Sequence, residues 1–390
     1  MGVKGLSTII KEFAKSSIKK REFKDYRGTV QSLDAAITLY KFCIAIMNTD
    51  NFRSENGDII GHLFACFFKS LAMLRYGIMP LWTVDGTPPI IKQSTLTERR
   101  KVKENAILKL SNIGLNSTEK NKLEKRTFTV SMKHIDEVKY LLRLLGLPYV
   151  EAPGEAEAQC AALDIANVSQ GVVTEDWDAV LFGCKKMLKD FSNKSYVTEI
   201  DVPELMRALE MNRKQLINLA AILGNDYCCG IGGLKPTDAY LKFKTCNFDI
   251  ETFLVMIENE NKIKSKYKIP ENFREQLEIS RDYYLHAPVV DPKEVKVIWN
   301  KPDYNKLYSY LIDEKKFKPD VIFVKIAELK MMYERYVLSG GELITLSRIK
   351  KEQGIVGPCE SYKSEINYVD YFLDMLILNK QLNKRLLVAH

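Results

Sequence analysis

The sequence predicts an α/β fold with a mostly parallel central sheet and helices on both faces. Over the first 230 residues, apolar β-type runs such as GTVQSLDAA, IMPLWTVDG, LPYVEA and QGVVTEDWD alternate with helical runs such as AITLYKFCIAIM and GHLFACFFKSLAMLRYG. This alternation is typical of βαβ units, whose strands are parallel. Beyond about residue 230, helical patterns such as FREQLEISRDYYLH dominate, and we expect a helical C-terminal part.

Composition limits the class of protein. The chain has 390 residues, 46% of them hydrophobic, enough for one large domain or two. Its formal net charge of +8 permits a polyanionic partner without requiring one. The 8 cysteines include no CxxC pair, which argues against a zinc site and against a disulfide framework. No apolar run reaches the roughly 18 residues of a membrane span, so we expect a soluble intracellular protein without a membrane partner.

Acidic residues follow the predicted apolar elements. In an open parallel sheet, functional sites gather outside the carboxyl ends of the strands. Residues two apart at a strand end point the same way, which favours convergence of the two aspartates in EDWD. Seven acids can therefore lie at one edge of the sheet: Asp34, Asp85, Glu155, Glu157, Asp176, Asp178 and Asp226.

These acids indicate a metal site when they are taken together. Singly, each could be a helix cap or a turn residue. Seven carboxylates in a partly buried pocket would repel one another by several kcal/mol unless cations neutralised them. None of the 4 histidines lies near them in the sequence. An all-oxygen site suits Mg²⁺ or Mn²⁺, and so many acids indicate two ions, the arrangement that serves phosphodiester hydrolysis.

Glu155 and Glu157 pose a geometric question, because residues two apart on a helix point about 200° away from each other. The helix follows the dipeptide PG, so its first turn can be irregular enough to turn both side chains inward. We therefore expect one glutamate to contact a metal ion directly, and the other to act directly or through bound water.

Several blocks then carry a family resemblance. MGVKGL, LDAAITLY, YGIMPLWTVDGTPP, APGEAEAQCAAL, VVTEDWDAVLFG and LGNDYC resemble, in order and in spacing, the flap endonucleases of the XPG superfamily, from Met1 to about residue 335. The resemblance implies a PIN-like nuclease core and a structure-specific 5′ flap endonuclease with 5′–3′ exonuclease activity in DNA replication and repair. It also implies two Mg²⁺ ions, for which Mn²⁺ can substitute, and a branched double-stranded DNA substrate.

The resemblance also divides the chain into regions. These are an N-terminal XPG nuclease region at 1–105, a helical arch at 92–133, an internal XPG nuclease region at 134–230, a helix-two-turn-helix and helical DNA-binding region at 226–338, and a C-terminal tail at 339–390. By the same resemblance all seven acids are metal ligands. Glu157 bridges the ions or nearly so, Asp34 and Asp85 lie toward one, Asp178 and Asp226 toward the other, and Asp176 and Glu155 act through water.

The predicted arch is strongly basic. Between Lys92 and Lys133 the sequence has eleven basic and four acidic residues, a net +7. A solvated helical pair with ordinary salt bridges would explain such a run. In the family, this segment is an arch through which the single-stranded flap passes. Lys92 and Arg99 stand at the family's offsets from Asp85 for residues that reach the scissile phosphate, and Arg100 is a further candidate DNA contact.

Other DNA contacts follow from the resemblance alone. Tyr40 would stack on a base near the cut, and Gly2 would lie beside the active site once Met1 is removed. YCCGIGGLKPTDAY resembles the hairpin that grips the duplex backbone and holds K⁺, with a lysine where the family has glycine. The predicted contacts are Gly230, Gly232, Gly233 and Lys235 in this hairpin, and Lys315, Lys316 and Phe317 in a pocket for a one-nucleotide 3′ flap.

The tail departs from the family pattern, which ends in a glutamine-led box that docks on the sliding clamp (PCNA) and in a polybasic extension. Residues 340–390 contain seven basic and six acidic residues without a polybasic run. EINYVDYF, residues 365–372, has the paired aromatics of the box but Glu365 in place of glutamine and Tyr368 in place of an aliphatic residue. An amphipathic helix packed on the body is the alternative to a degenerate clamp-binding segment.

Two other functions remain open at this point. The first is another branch of the superfamily, either a 5′ exonuclease or the bubble-cutting repair nuclease, although the latter has a long insertion before the GEAEA block. The second is a non-catalytic nucleic-acid-binding protein, which would be expected to have lost some of the acids. We expect a monomer in the nucleus, or at a cytoplasmic replication site if the source is a large DNA virus.

Overall fold

A seven-stranded sheet lies at the centre of the fold. The computed structural model describes residues 2–49, 53–54, 56–110, 116–192 and 196–341, and the tail segment 365–372 lies outside them. The strands in these residues are β1 (Ile18–Arg21), β2 (Val30–Asp34), β3 (Met79–Val84), β4 (Tyr149–Glu151), β5 (Val172–Val173), β6 (Lys186–Lys189) and β7 (Val197–Asp201).

Fifteen α-helices accompany the strands in the described residues. They are α1 (Leu6–Phe13), α2 (Ala35–Ile46), α3 (Gly61–Arg75), α4 (Gln93–Leu110), α5 (Ser117–Thr127), α6 (Met132–Leu144), α7 (Ala156–Ile165), α8 (Asp178–Leu181), α9 (Val202–Leu209), α10 (Arg213–Leu223), α11 (Pro236–Thr245), α12 (Ile250–Ile263), α13 (Phe273–His286), α14 (Tyr304–Tyr308) and α15 (Pro319–Leu338). A π-helical turn over Ser309–Glu314 continues α14. No helix of the described residues is both long enough and apolar enough to cross a membrane.

The sheet confirms the predicted fold class. Its strand order is β1-β7-β6-β5-β2-β3-β4. The five strands from β6 to β4 are parallel, whereas β7 pairs antiparallel with both β6 and β1. The parallel strands that carry the predicted acids therefore occupy the middle and one edge of the sheet. The antiparallel pair at the other edge is an addition that the sequence reasoning did not include.

Helices pack on both faces of this sheet, because neighbouring residues of each strand point to opposite sides. Val172 lies in the core formed with α1 and α7 to α13, whereas Val173 lies in the core formed with α2, α3, α6, α14 and α15. Met187 and Leu188 are divided in the same way. Beyond Asp201 the described residues contain helices and no strand, as predicted for the C-terminal part.

One element differs from its prediction. QGVVTEDWD was expected to be a strand that carries Asp176 and Asp178 at its end, but β5 comprises only Val172 and Val173. Asp176 follows in a loop, and Asp178 begins α8. The argument that these two side chains converge by strand alternation is therefore wrong, and their proximity has a different cause, described below.

Candidate functional site

The parallel strands bring the first two acids to the carboxyl edge of the sheet. Asp34 ends β2 and caps α2, where its Oδ1 accepts a hydrogen bond of 3.1 Å from the Ile37 amide. Asp85 follows β3, and its Oδ1 accepts a bond of 2.8 Å from the Ala156 amide. This second bond ties the end of β3 to the start of α7. The two strands are direct neighbours in the sheet, so both carboxylates face the same region.

The same helix start resolves the question of Glu155 and Glu157. Glu155 is the N-cap of α7 and has an extended backbone (φ −84°, ψ 140°), whereas Glu157 lies in the first helical turn. Helical spacing therefore does not apply to this pair, and both side chains turn inward. Their exposed fractions are 5% and 9%. The expectation that the first turn lets both glutamates face the interior is confirmed.

Asp176 and Asp178 meet through a tight turn. The Asp178 amide donates to Asp176 Oδ1 at 3.2 Å, and the Asp176 amide donates to Thr174 Oγ1 at 3.1 Å. Gly2 lies directly against both carboxylates, with its backbone in the left-handed region at φ +75°. A Cβ at this position would overlap the Asp176 carboxylate, so only glycine fits there. The N-terminus thus lies beside the site, where the sequence reasoning expected it.

Burial and mutual repulsion characterise the site electrostatically. Asp34, Glu155, Glu157, Asp176, Asp178 and Asp226 are buried, and Asp85 is exposed. Burial, with further contributions from Asp85 and Asp176, raises the pKa of Asp34 to about 7. Burial and the neighbouring carboxylates likewise raise the pKa values of Glu157 and Asp178 well above their usual range. A cation among these acids would offset both effects.

Two predicted basic residues already contact the acids. The Lys92 ammonium pairs with Glu155 and lies 3.1 Å from Asp226 Oδ2. Arg99 Nη2 donates to both oxygens of Asp226, at 3.0 and 2.8 Å. Burial alone would lower the pKa of Lys92, but Glu155, Glu157 and Asp226 together raise it. Lys92 therefore carries its charge in the midst of the carboxylates.

The donor set fits hard divalent cations. It consists of carboxylate oxygens, and Asp178 Oδ1 is buried with no hydrogen-bond partner in the protein. Within the described ranges, however, no three acidic, histidine or cysteine side chains form a ready-made metal cage. Several of the carboxylate oxygens instead form ion pairs or accept hydrogen bonds within the protein. Their partners are Lys92, Arg99 and the backbone amides of Ile37, Ala156 and Asp178.

Tyr227 belongs to the site and was missed by the sequence reasoning. Its hydroxyl donates to Glu155 Oε2, and the Lys92 ammonium lies 5.9 Å from the centre of its ring. Thr174 was missed as well, although its Oγ1 lies 3.5 Å from Asp34 Oδ2. The available signal for Tyr227 was its position directly after Asp226; for Thr174 it was its position directly after the β5 strand.

Tyr40 lies against the C-terminal end of α5, in the helical pair formed by α4 and α5. Its ring stacks on Phe128 at 6.1 Å with an interplanar angle of 22°, and its hydroxyl donates to the Lys125 carbonyl at 3.4 Å. Phe128 in turn stacks on His134, whose ring contacts that of His62 at 4.4 Å in a tilted arrangement. Tyr40 is thus partly buried, and its predicted stacking on a DNA base stays a prediction.

The segment predicted as an arch forms two helices that pack against each other, α4 and α5. Arg100, Lys101, Lys120 and Lys122 are exposed. In the part of the chain that the structure describes, Arg99 is the one basic residue of α4 or α5 that pairs with an acidic side chain. The described residues of the two helices therefore do not form a surface whose positive charges are neutralised by ordinary salt bridges, which was the alternative interpretation of this segment.

The hairpin segment between α10 and α11 retains left-handed glycines. Gly230 and Gly233 have φ values of +80° and +82°, and Gly232 exchanges two backbone hydrogen bonds of 2.9 Å with Lys268. Lys235 is the N-cap of α11 with an extended backbone (φ −73°, ψ 148°), which any residue adopts. The replacement of the family's glycine by lysine is thus compatible with the local backbone.

The loop from Lys315 to Phe317 lies next to α3 and α6. Lys315 Nζ donates to Glu137 Oε1 at 2.7 Å, and His62 Nε2 lies 2.6 Å from Glu137 Oε2. Phe317 is buried, and together with Lys316 it lines a cavity of about 440 Å³. A cavity at this loop is consistent with the predicted 3′ flap pocket and does not test it.

Replacing Glu137 with glutamine should lower the free energy of unfolding by about 1 kcal/mol at pH 7, because hydrogen bonds to this partly exposed carboxylate would weaken. Burial raises the pKa of Glu137, but hydrogen bonds from His62 and Lys315 outweigh it and hold the pKa at about 2. A depressed carboxyl pKa stabilises the fold above the unfolded value of 4.5, and the effect is lost as the pH falls toward 2.

Urea unfolding at pH 7 and at pH 3 measures this difference. The destabilisation by Glu137→Gln should shrink at the lower pH. The matched control is Asp136→Asn, since the side chain of Asp136 is 63% exposed and its pair with Lys139 at 3.1 Å is screened by solvent. An equal effect of both variants, or one independent of pH, would contradict the assignment of Glu137 as an ion-paired residue.

Comparisons with known proteins agree with this geometry. Residues 1–106 match the XPG N-terminal domain, and residues 146–226 match the XPG I-region. Flap endonuclease 1 of Lachancea thermotolerans is 36% identical over 338 residues, which cover 85% of this chain and 86% of that protein. Flap endonuclease 1 of Glycine max is 35% identical over 339 residues, with coverages of 85% and 87%.

Solved structures show the same fold. The catalytic core of Rad2 in complex with a DNA substrate matches with a TM-score of 0.65 and 25% identity, over 83% of this chain and 100% of that one. Flap endonuclease-1 from Methanococcus jannaschii matches with a TM-score of 0.62 and 25% identity, over 82% and 96% of the two chains. With carboxylates at the predicted edge of the sheet, and with relatives above 30% identity over most of its length, the chain belongs to the flap endonuclease family of XPG nucleases.

Proposed function

We propose that this chain is a structure-specific 5′ flap endonuclease, with 5′–3′ exonuclease activity, that hydrolyses DNA phosphodiesters at branched junctions in replication and repair. The main observation in support of the proposal is the group of acids at the carboxyl edge of the parallel strands, next to the basic segment that includes helices α4 and α5. Buried carboxylates with raised pKa values are a poor way to stabilise a fold, so their concentration here indicates chemistry.

The seven acids would hold two Mg²⁺ ions, for which Mn²⁺ substitutes: Asp34, Asp85, Glu155, Glu157, Asp176, Asp178 and Asp226. When bound, such ions lower the pKa of water and neutralise the charge that develops on the phosphate. Asp178 supports the assignment most directly, because a buried carboxylate oxygen without a partner is costly unless a ligand satisfies it. Glu157 interacts electrostatically with Asp34, Asp85 and Asp176, which suits a bridging role.

The cationic residues would act on the substrate. Lys92 and Arg99 contact Glu155 and Asp226 in the protein alone, and a scissile phosphate in the site would offer them a competing anion. Their charges would then stabilise the transition state. Gly2, which lies against Asp176 and Asp178, would contact the DNA beside the cut. Tyr40 would present its ring to a base next to the cut, where stacking contributes about 1–3 kcal/mol.

Further contacts would bind the duplexes on either side of the junction. The backbone amides around Gly230, Gly232 and Gly233, with Lys235, would contact phosphates without reading the bases, and carbonyls of the same turn would hold K⁺. The loop Lys315, Lys316 and Phe317, whose last two residues line a cavity, would hold a one-nucleotide 3′ flap. We also propose a monomeric nuclear enzyme, and the clamp PCNA as a partner of residues 365–372. A cytoplasmic viral replication site is the alternative location.

A second candidate activity is that of another superfamily branch, since the Rad2 core matches as well as the archaeal flap endonuclease does. The substrate decides between them. A labelled double-flap DNA, a bubble and a blunt duplex should be incubated in parallel with Mg²⁺ and the cut sites mapped. We expect cleavage at the base of the 5′ flap to be fastest, and preferential cutting of the bubble or the blunt end would reject the proposal.

The metal requirement gives a separate prediction. Activity should need Mg²⁺ or Mn²⁺, and Ca²⁺ should support DNA binding without turnover, because its larger and looser coordination misplaces the attacking water. Cleavage in each metal and DNA binding by fluorescence anisotropy should be measured on the same protein. Robust cleavage in excess EDTA would overturn the metal assignment.

A further inference from the structure

The two oxygens of Glu155 have different partners. Oε1 pairs with the Lys92 ammonium, and Oε2 accepts the hydrogen bond of the Tyr227 hydroxyl. Glu155 is only 5% exposed, so water cannot readily replace either partner. Lys92 is shared with Asp226 at 3.1 Å, whereas Tyr227 has Glu155 as its hydroxyl partner. Lys92 can therefore exchange Glu155 for another anion, whereas the Tyr227 hydroxyl is bonded to Glu155 alone.

Tyr227 is held rigidly in its own surroundings. Its side chain is 6% exposed, and its ring meets those of Tyr283 and Tyr284 edge-on, each at 5.1 Å. Its amide donates to Asn225 Oδ1 at 2.9 Å. A tyrosine has only two side-chain torsions, and packing against these two rings restricts them, so the position of the hydroxyl is set before any ligand binds.

We propose that Tyr227 is a positioning residue of the active site, which holds Glu155 Oε2 in place and leaves Oε1 as the exchangeable oxygen. This inference rests on the proposed function and deepens it. When Lys92 turns to a scissile phosphate, Glu155 loses one of its two partners. The Tyr227 hydroxyl would then keep the buried carboxylate in the position in which it could serve a cation. Tyr227 directly follows Asp226. Two consecutive residues therefore supply a predicted metal ligand, Asp226, and the group that orients a second one, Glu155.

The test compares Tyr227→Phe with Tyr284→Phe. Both substitutions remove only a hydroxyl, the two rings are in contact, and the Tyr284 hydroxyl has no hydrogen-bond partner. Binding of Mn²⁺ to the DNA-free protein should be measured by calorimetry, and melting temperature by circular dichroism. Loss of a group that orients a metal ligand typically weakens metal affinity or activity by about 10–100-fold. We expect a weakening in that range for Tyr227→Phe and none for Tyr284→Phe.

Cleavage measured against Mg²⁺ concentration adds a second reading. For Tyr227→Phe the half-maximal Mg²⁺ concentration should rise about tenfold, with DNA binding in the absence of metal unchanged. Wild-type Mn²⁺ affinity in Tyr227→Phe, or an equal loss in Tyr284→Phe, would overturn the inference. Failure of the wild-type protein to cut flaps would reject the proposed function, while weaker Mn²⁺ binding by Tyr227→Phe would still support the role of the hydroxyl. A wild-type chain that binds no Mn²⁺ would refute both.

Discussion

Replacing Asp178 with alanine should abolish flap cleavage and leave DNA binding largely intact. The side chain is 2% exposed, and its Oδ1 has no hydrogen-bond partner in the protein. Loss of a metal ligand removes several kcal/mol of charge stabilisation, which corresponds to a rate decrease of about 10³-fold or more. DNA affinity comes mainly from phosphate contacts elsewhere, such as the basic helices and the hairpin, and should not change in proportion.

Single-turnover cleavage and anisotropy measured on the same preparation separate the two effects. Asp178→Asn should be nearly as inactive as Asp178→Ala, because the amide keeps the shape but loses the charge. Glu175→Gln is the matched control: Glu175 lies in the loop just before Asp178, and it pairs with Lys41 at 2.5 Å. It should retain activity within a few-fold. Near wild-type cutting by Asp178→Ala would show that the metal assignment is wrong.

Neutralising Arg99 should slow the chemical step far more than it weakens duplex binding. The guanidinium contacts both oxygens of Asp226 but is itself 52% exposed, so it can turn to a phosphate in the site. Removing one electrostatic contact to a transition state typically costs roughly 10²–10³ in rate. The exposed Lys120 and Lys122, on α5, should instead affect binding and its salt dependence mildly.

Single-turnover rates at saturating enzyme for Arg99→Ala and for the Lys120/Lys122 double alanine variant compare the two positions. Arg99→Lys adds a variant that keeps the charge but loses the forked geometry, and its rate should lie between those of wild type and Arg99→Ala. Equal, small effects of the arginine and the lysine substitutions would mean that the segment is only a solvated basic surface, in agreement with the alternative raised from the sequence.

The central strands could be predicted because burial on both faces makes them continuous apolar runs. MPLWTV is of this kind, whereas VQSLD contains the buried polar residues Gln31 and Ser32; both strands lie where they were expected. β6 and β7 could not be found in this way. Lys186 and Lys189 flank only two apolar residues in β6, and β7 has only two apolar residues, Val197 and Ile200, separated by two polar ones. Their pairing depends on contacts between segments distant in sequence, which no local pattern contains.

The candidate site, like the fold, could be predicted only in part from the sequence. The acids could be located because parallel topology places strand ends together, a rule that holds for Asp34 and Asp85. The prediction that Asp176 and Asp178 lie close together rested on a wrong reason, because their proximity comes from a turn that follows a two-residue strand. Tyr227 and the pairing of Lys92 with Glu155 were beyond sequence reasoning, because each is a side-chain contact between separate elements.

The two edges of the sheet differ from its centre in a way that bears on self-association. An exposed edge strand can pair with another protein chain, and natural proteins prevent this with short strands and with charge. The edge strand β4 has only three residues, and the opposite edge strand, β1, has the sequence IKKR. Lys19 and Arg21 of β1 are paired with Asp201 and Glu199 of β7, so their charges are fixed along that border. Addition of a strand from a second copy is thereby disfavoured at both borders, and the chain should resist edge-to-edge aggregation at high concentration.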